Sequence, residues 1–272
     1  MKKTNITLAI DDSFFRRRSK DNSVTKFYNV FDSNYKVVES IHEGHGVCTY
    51  WSNTTIRKKI LKAVRDNKPN QITIHGGIPN GAWVIACTKL IKEIRKISNA
   101  RIILPVHHHV NYSDAIAEAN TKRVCGMFRN CESLSIVKYY RPLGIKYVDT
   151  DNRHPTTVCY FIEAVLLYCL LTGIQPKVGN TYKAVQNKEK IVGYISADRG
   201  VLPQPTLKKG HTGYRVKALQ KWLNGHGQKL KIDGNYGQKT EASVKVVERK
   251  CGIKVDGIYG GGTFQAFKKM IK

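Results

Sequence analysis

The chain has 272 residues, 41% of them hydrophobic, and 46 Lys and Arg against 20 Asp and Glu give a formal net charge of +26. The apolar content supports a buried core and excludes a wholly disordered chain, and the length suits one or two domains. The basic excess favours an anionic partner through long-range attraction that salt screens; nucleic acid, anionic lipid and the polyanionic Gram-positive wall all qualify. The excess is spread along the chain, with 15 basic and 4 acidic residues falling in 201–272. The seven cysteines are odd in number and sit mostly in apolar runs, which reads as reduced thiols of a cytosolically made protein rather than a disulfide framework. Residues 1–10 have neither a long apolar stretch nor a small-residue cleavage site, so no signal peptide is expected. The most apolar segment, 164–171, is far shorter than the ~20 residues a membrane span needs.

In chain order, apolar or β-branched runs predict strands at 6–10, 36–38, 71–74, 101–105 and 145–148. Helical periodicity falls between and after them, at 55–65, 83–97, 113–129 and 157–171. Such alternation predicts an α/β domain with a mainly parallel sheet and helices on both faces. Ligands bind such sheets at the carboxyl ends of the strands, so the residues that follow each strand matter most.

After the first strand comes Asp11-Asp12-Ser13, after the second His42-Glu43-Gly44-His45-Gly46, and after the third His75-Gly76-Gly77-Ile78-Pro79-Asn80. After the fifth comes Asp151-Asn152-Arg153-His154-Pro155. A serine nucleophile needs a base, and the base needs a group that fixes its tautomer. Ser13, His154 and Asp151 supply that set if the strand ends share one rim. A tetrahedral oxyanion needs fixed donors, and the Ser13 and Gly46 N–H groups and the Asn80 side-chain amide are candidates.

These four blocks in this order resemble the SGNH (GDSL-type) hydrolases, over about residues 4–177. The resemblance implies a flavodoxin-like three-layer fold. It also implies Ser13 as nucleophile, Gly46 and Asn80 as oxyanion donors, Asp151 as orienter and His154 as base. Asp11-Asp12-Ser13 stands where the family has Gly-Asp-Ser, and Gly77-Ile78-Pro79-Asn80-Gly81 carries one inserted residue and lacks the family's final Asp. Gly44 suits the second block as well as Gly46 does. The mechanism requires no metal and no other cofactor. An alternative ligand set is a zinc site of the kind wall amidases use, from His107, His109, His42 and His45 with Glu43 and Glu118 available. Residue His108 is a candidate substrate contact.

Residues 179–204 read as a Gly-, Pro- and polar-rich linker. Beyond them, Ile232-Asp-Gly-Asn-Tyr-Gly-Gln-Lys-Thr240 recurs 23 residues later as Val255-Asp-Gly-Ile-Tyr-Gly-Gly-Gly-Thr263. Each copy predicts an Asp-Gly turn, an aromatic anchor, and a Thr that caps a helix. Val216, Leu219, Trp222 and Leu223 mark another amphipathic helix upstream. This pattern resembles the peptidoglycan-binding module of phage and bacterial lytic enzymes, and the resemblance makes Tyr236 and Tyr259 candidates for glycan stacking.

The expected architecture is an SGNH-like hydrolase domain over 1–178, a linker over 179–204 and a small all-α peptidoglycan-binding domain over 205–272. The expected activity is that of a wall-targeted serine esterase of phage endolysin type, removing O-acetyl groups from peptidoglycan or another wall glycan. The alternatives are a zinc-dependent N-acetylmuramoyl-L-alanine amidase, or a non-catalytic wall-binding protein on a decayed hydrolase fold. The expected partner is the anionic Gram-positive wall, with neither nucleic acid nor membrane. The expected route is synthesis in the cytoplasm, without a signal peptide, and release or export to the wall. The sequence does not indicate an oligomeric state.

Overall fold

The computed structural model describes residues 5–11, 31, 34–42, 45–108, 112–146, 156–178 and 185–271. The chain divides into two compact units, Met1–Ala164 and Val165–Lys272.

The first unit is built on a five-stranded sheet of β1 (Asn5–Asp11), β2 (Tyr35–Ile41), β3 (Gln71–Ile74), β4 (Arg101–Val106) and β5 (Cys131–Ser135). All pairings are parallel, in the order β2-β1-β3-β4-β5, which is the flavodoxin-like order. The central strands are covered on both faces, which is why they read as apolar and β-branched runs. On one face Leu8, Ile10, Ile72, Ile74, Ile102 and Leu104 join the main core. The opposite face carries Thr7, Ala9, Asp11, Gln71, Thr73 and Ile103, also inaccessible to solvent.

Helices α1 (Val47–Ser52), α2 (Thr54–Asn67) and α3 (Gly81–Arg95) fill the first face, with Tyr50, Ile60, Leu90 and Ile94 in its core. Local chemistry sets their ends. The Asn53 side chain accepts from the N–H groups of Thr55 and Ile56, and Lys68 in the left-handed conformation ends α2. Helix α4 (Asp114–Cys125) is capped by Ser113. The short α5 (Val137–Tyr140) follows β5 and runs into a 3-10 turn.

Two sequence expectations differ here. The helix expected over 113–129 stops at Cys125, and an edge strand, β5, follows within six residues. In β5 only Leu134 is buried, so the segment lacks the apolar run that marks the central strands. The strand expected at 145–148 is not seen at Ile145 and Lys146, and its last two residues lie outside the described ones.

Helix α6 (Thr157–Thr172) spans the boundary between the units. No helix among the described residues is long and apolar enough to cross a membrane. The stretch read as linker holds a regular helix, α7 (Lys188–Arg199), which buries Ile191, Val192 and Ile195 and packs against α8 (Tyr214–Gly225). Gly193 in α7 lies so close to Tyr214 that an added Cβ would meet the tyrosine Cβ at 3.1 Å.

Helix α8, helix α9 (Gln238–Lys250) and helix α10 (Gly261–Lys268) close around Trp222, Tyr236, Tyr259 and Phe267. The Trp222 and Phe267 rings stack with centroids 4.9 Å apart. The two repeat copies are built alike. Asp233 accepts from the N–H of Asn235 at 2.9 Å, and Asp256 from that of Ile258 at 2.8 Å. A buried side chain of the preceding helix then holds each turn. Gln220 accepts from Gly234 N–H, and Glu248 accepts from Gly257 N–H, both at 2.9 Å.

Two readings of the repeat need correction. Thr240 and Thr263 are not helix caps. Gly237 and Gly260 occupy the N-cap positions, and each threonine hydroxyl instead donates back to a carbonyl, of Asn235 and Ile258 respectively. Tyr236 and Tyr259 are not glycan-stacking surfaces, because both residues are completely buried. Their hydroxyls donate to Gly257 O at 2.8 Å and to Pro203 O at 2.5 Å. They tie one turn to the next from inside the core.

This arrangement predicts that Tyr236→Phe costs about 1 kcal/mol of stability, the loss of one buried hydrogen bond. Tyr236→Ala costs about 3–5 kcal/mol through the cavity it leaves. Urea unfolding measures both, and sacculus binding by the folded Phe variant stays at the wild-type level.

Candidate active site at the carboxyl rim of the sheet

The parallel strands deliver their carboxyl ends to one rim. At the end of β1, Asp11 is fully buried, and its carbonyl accepts from His42 N–H at 2.7 Å. At the end of β2, Gly46 is the N-cap of α1. Past β3, the segment 75–80 forms a tight loop in which Gly76 (φ 104°) and Gly77 (φ 79°) take the left-handed conformation that side chains disfavour.

The β2 and β3 loops touch backbone to backbone. A Cβ on Gly46 would lie 3.1 Å from Gly77 N and 3.2 Å from Gly76 C. The Gly76 carbonyl accepts from Val47 N–H at 3.2 Å and from the Trp83 indole N–H at 3.1 Å. Pro79 O accepts from Tyr112 Oη at 3.2 Å and from Asn120 Nδ2 at 2.6 Å. Asn80 then caps α3, its Oδ1 accepting from Trp83 N–H at 3.0 Å. The cap commits Oδ1 and leaves the amide NH2 as the donor this side chain can offer.

Alongside lies a buried group of ionisable side chains. Glu163 of α6 is 1% exposed. Its two carboxylate oxygens face two histidines, with His75 Nε2 3.1 Å from Oε1 and His107 Nε2 3.4 Å from Oε2. Burial raises the Glu163 pKa, but the charges of His75 and His107 outweigh it and hold the carboxyl below the usual carboxylate range.

Of the residues singled out in the sequence, Gly46 and Asn80 stand on this rim, at the β2 and β3 ends. Ser13, Asp151 and His154, with Gly44, Glu43 and His109, lie outside the described residues. The zinc set imagined around His107 and His42 is not assembled among the described residues. Strands β1 and β3 separate β2 from β4, which puts roughly 14 Å between their ends at the usual strand spacing. His42 instead meets Ser40 Oγ at 3.1 Å and packs on the Tyr50 ring, and His45 is exposed. Glu118 bonds to Ser135 and approaches Lys122. His108 lies 2.9 Å from Asp114, which also takes Arg141.

The sequence reading passed over His75, Trp83 and Glu163. Glu163 had a signal: it is the lone carboxylate in an otherwise apolar helix, Tyr160-Phe-Ile-Glu163-Ala-Val-Leu-Leu167. A charge at such a position is buried only with a partner.

Comparison with known proteins bears first on the second unit. Residues 212–267 match the family described as "Putative peptidoglycan binding domain". The second unit carries a peptidoglycan-binding domain. The chain is 49% identical over 63 residues to the N-acetylmuramoyl-L-alanine amidase CwlL of Bacillus licheniformis, covering 22% of this chain and 18% of that one. It is 38% identical over 77 residues to the zinc D-Ala-D-Ala carboxypeptidase of Streptomyces albus G, covering 25% and 30%. The chain thus spans less than a third of the length of either relative. Their names denote different chemistries, so the shared stretch does not set the reaction. By structure, the chain resembles a DUF4886 family protein from Bacteroides uniformis ATCC 8492, with a TM-score of 0.52 at 12% identity over 69% of this chain and 91% of that one. That likeness is one of fold.

The contact between the β2 and β3 loops predicts a steep difference between two glycines of the first unit. Gly46→Ala forces backbone apart and destabilises by about 1–3 kcal/mol. Gly81→Ala, at the first residue of α3 with nothing within 4 Å of the new methyl, is neutral or stabilises by up to about 1 kcal/mol. Thermal unfolding of the two variants checks the contrast.

Proposed function

We propose that the protein is a wall-targeted serine hydrolase, an esterase that acts on peptidoglycan or an attached wall glycan and removes groups such as O-acetyl. The observation that carries this reading is the joining of Gly46 to the Gly76–Gly77 loop beside the end of β1. From that strand end the chain enters Asp12-Ser13 within two residues. In this reading the rim combines the loop that carries Ser13 with two loops whose donors, Gly46 N–H and the Asn80 amide, suit an oxyanion.

In the mechanism, Ser13 Oγ attacks the ester carbonyl while His154 takes its proton and Asp151 holds the imidazole in the required tautomer. The negative oxygen is met by the N–H groups of Ser13 and Gly46 and by the Asn80 amide. His154 then returns the proton to the leaving sugar oxygen, and water releases the acyl group by the same steps in reverse order. The peptidoglycan-binding domain supplies location, and the basic charge raises the encounter rate with an anionic wall. Wall attachment explains why a hydrolase would carry this domain, and it makes the bacterial wall the place of action.

The test uses O-acetylated Gram-positive sacculi. The wild-type protein releases acetate, and Ser13→Ala lowers the rate at least about a thousandfold while sacculus binding is retained. New amines or reducing ends, formed equally by Ser13→Ala, contradict the proposal.

A further inference from the structure

We propose that His75, His107 and Glu163 form a binding site for a divalent transition metal of the zinc class. The three residues come from the ends of β3 and β4 and from α6, and each offers a ligand atom within 4.8 Å of the others. Nitrogen and carboxylate oxygen in a two-to-one ratio are a set that suits zinc.

The spacing suits an ion shared by the three groups. Ligands about 2.0–2.1 Å from a tetrahedral zinc stand about 3.3 Å apart. The observed nitrogen-to-oxygen separations are 3.1 Å to Oε1 and 3.4 Å to Oε2 of the same carboxylate, and the three ligand atoms lie within 4.8 Å of one another. At 3.1 Å, Glu163 Oε1 faces His75 without hydrogen-bond geometry, and it has no hydrogen-bond partner among the described residues. Both imidazoles present the same atom, Nε2, to one carboxylate, with ring centroids 5.5 Å apart. A carboxylate this deeply buried requires a compensating positive charge, and a dication held between the three groups supplies it when the imidazoles are neutral ligands.

Three protein ligands leave a fourth position. A cavity of about 30 Å³ is lined by His75, His107, Gly76, Gly77, Pro79 and Trp83, among others. It has room for about one water molecule, beside both imidazoles. The site belongs to the face of the sheet opposite the main core, and it ties α6 to the strand ends. Its ligand set includes none of Ser13, Asp151 and His154.

The full-length protein is stripped with a chelator under native conditions and titrated with Zn2+ alone, using a chromophoric competitor. The proposal expects one high-affinity equivalent per chain and a higher Tm on loading. Substituted Co2+ shows the strong ligand-field absorption of a tetrahedral site. Glu163→Gln and His107→Gln each weaken binding at least about a hundredfold and abolish the Tm shift. Ser13→Ala, His45→Gln and Cys48→Ser retain both. The Co2+ spectrum of the wild-type protein keeps the test open if a variant fails to fold. No bound equivalent in the wild type, an octahedral Co2+ spectrum, or equal affinity in folded Glu163→Gln would overturn the proposal. Loss of binding in His45→Gln or Cys48→Ser would overturn it too, because it would place the ion at the surface.

Discussion

A parallel sheet points every strand the same way, so all connections that leave its carboxyl ends must share one rim. In this molecule that crowding is resolved by glycine. The loops after β2 and β3 meet through Gly46, Gly76 and Gly77, so closely that a Cβ on Gly46 would lie 3.1 Å from Gly77 N and press on its backbone. The Gly76 carbonyl then holds both the start of α1 and the Trp83 indole. Trp83 is also the residue whose N–H Asn80 caps. The placement of Gly46 and Asn80 therefore follows from one contact rather than from two independent loop conformations.

The same geometry explains why the two faces of the sheet differ. One carries branched apolar residues into a conventional core. The other carries threonines and Gln71 and ends in Asp11, His75 and the neighbouring His107, under the Glu163 of α6. Polar groups are buried at a cost that only specific partners offset. Asp11, His75 and His107 bring ionisable groups to the carboxyl rim, where the other face of the sheet packs apolar residues. In the second unit, Gln220 and Glu248 play the reverse part. They are buried polar groups whose bonds are spent wholly on local turns, and they serve the fold.

The central strands were legible because burial on both faces concentrates apolar and β-branched residues in β1, β3 and β4. Strand β5 was not, because it lies at the sheet edge and buries only Leu134. Gly46 and Asn80 were legible as strand-end residues. The group around Glu163 was not, since its members are separated by up to 88 positions and meet only after the sheet and α6 have packed. The repeat in 232–263 located the wall-binding domain, yet its tyrosines were misread as surface groups. An aromatic residue at a fixed place in a repeat serves a core and a ligand surface equally well, and the sequence carries no sign of which side it faces. The helix α7 within the expected linker shows the same limit, because its buried positions are set by α8.

The central claim is that the rim activates Ser13, and covalent labelling tests it most directly. The native protein is treated with a fluorophosphonate, and the adduct is located by peptide mass spectrometry. The account predicts one stoichiometric adduct, on Ser13, that does not form when the protein is unfolded before labelling. An unlabelled native protein, or an adduct on another serine, would contradict it.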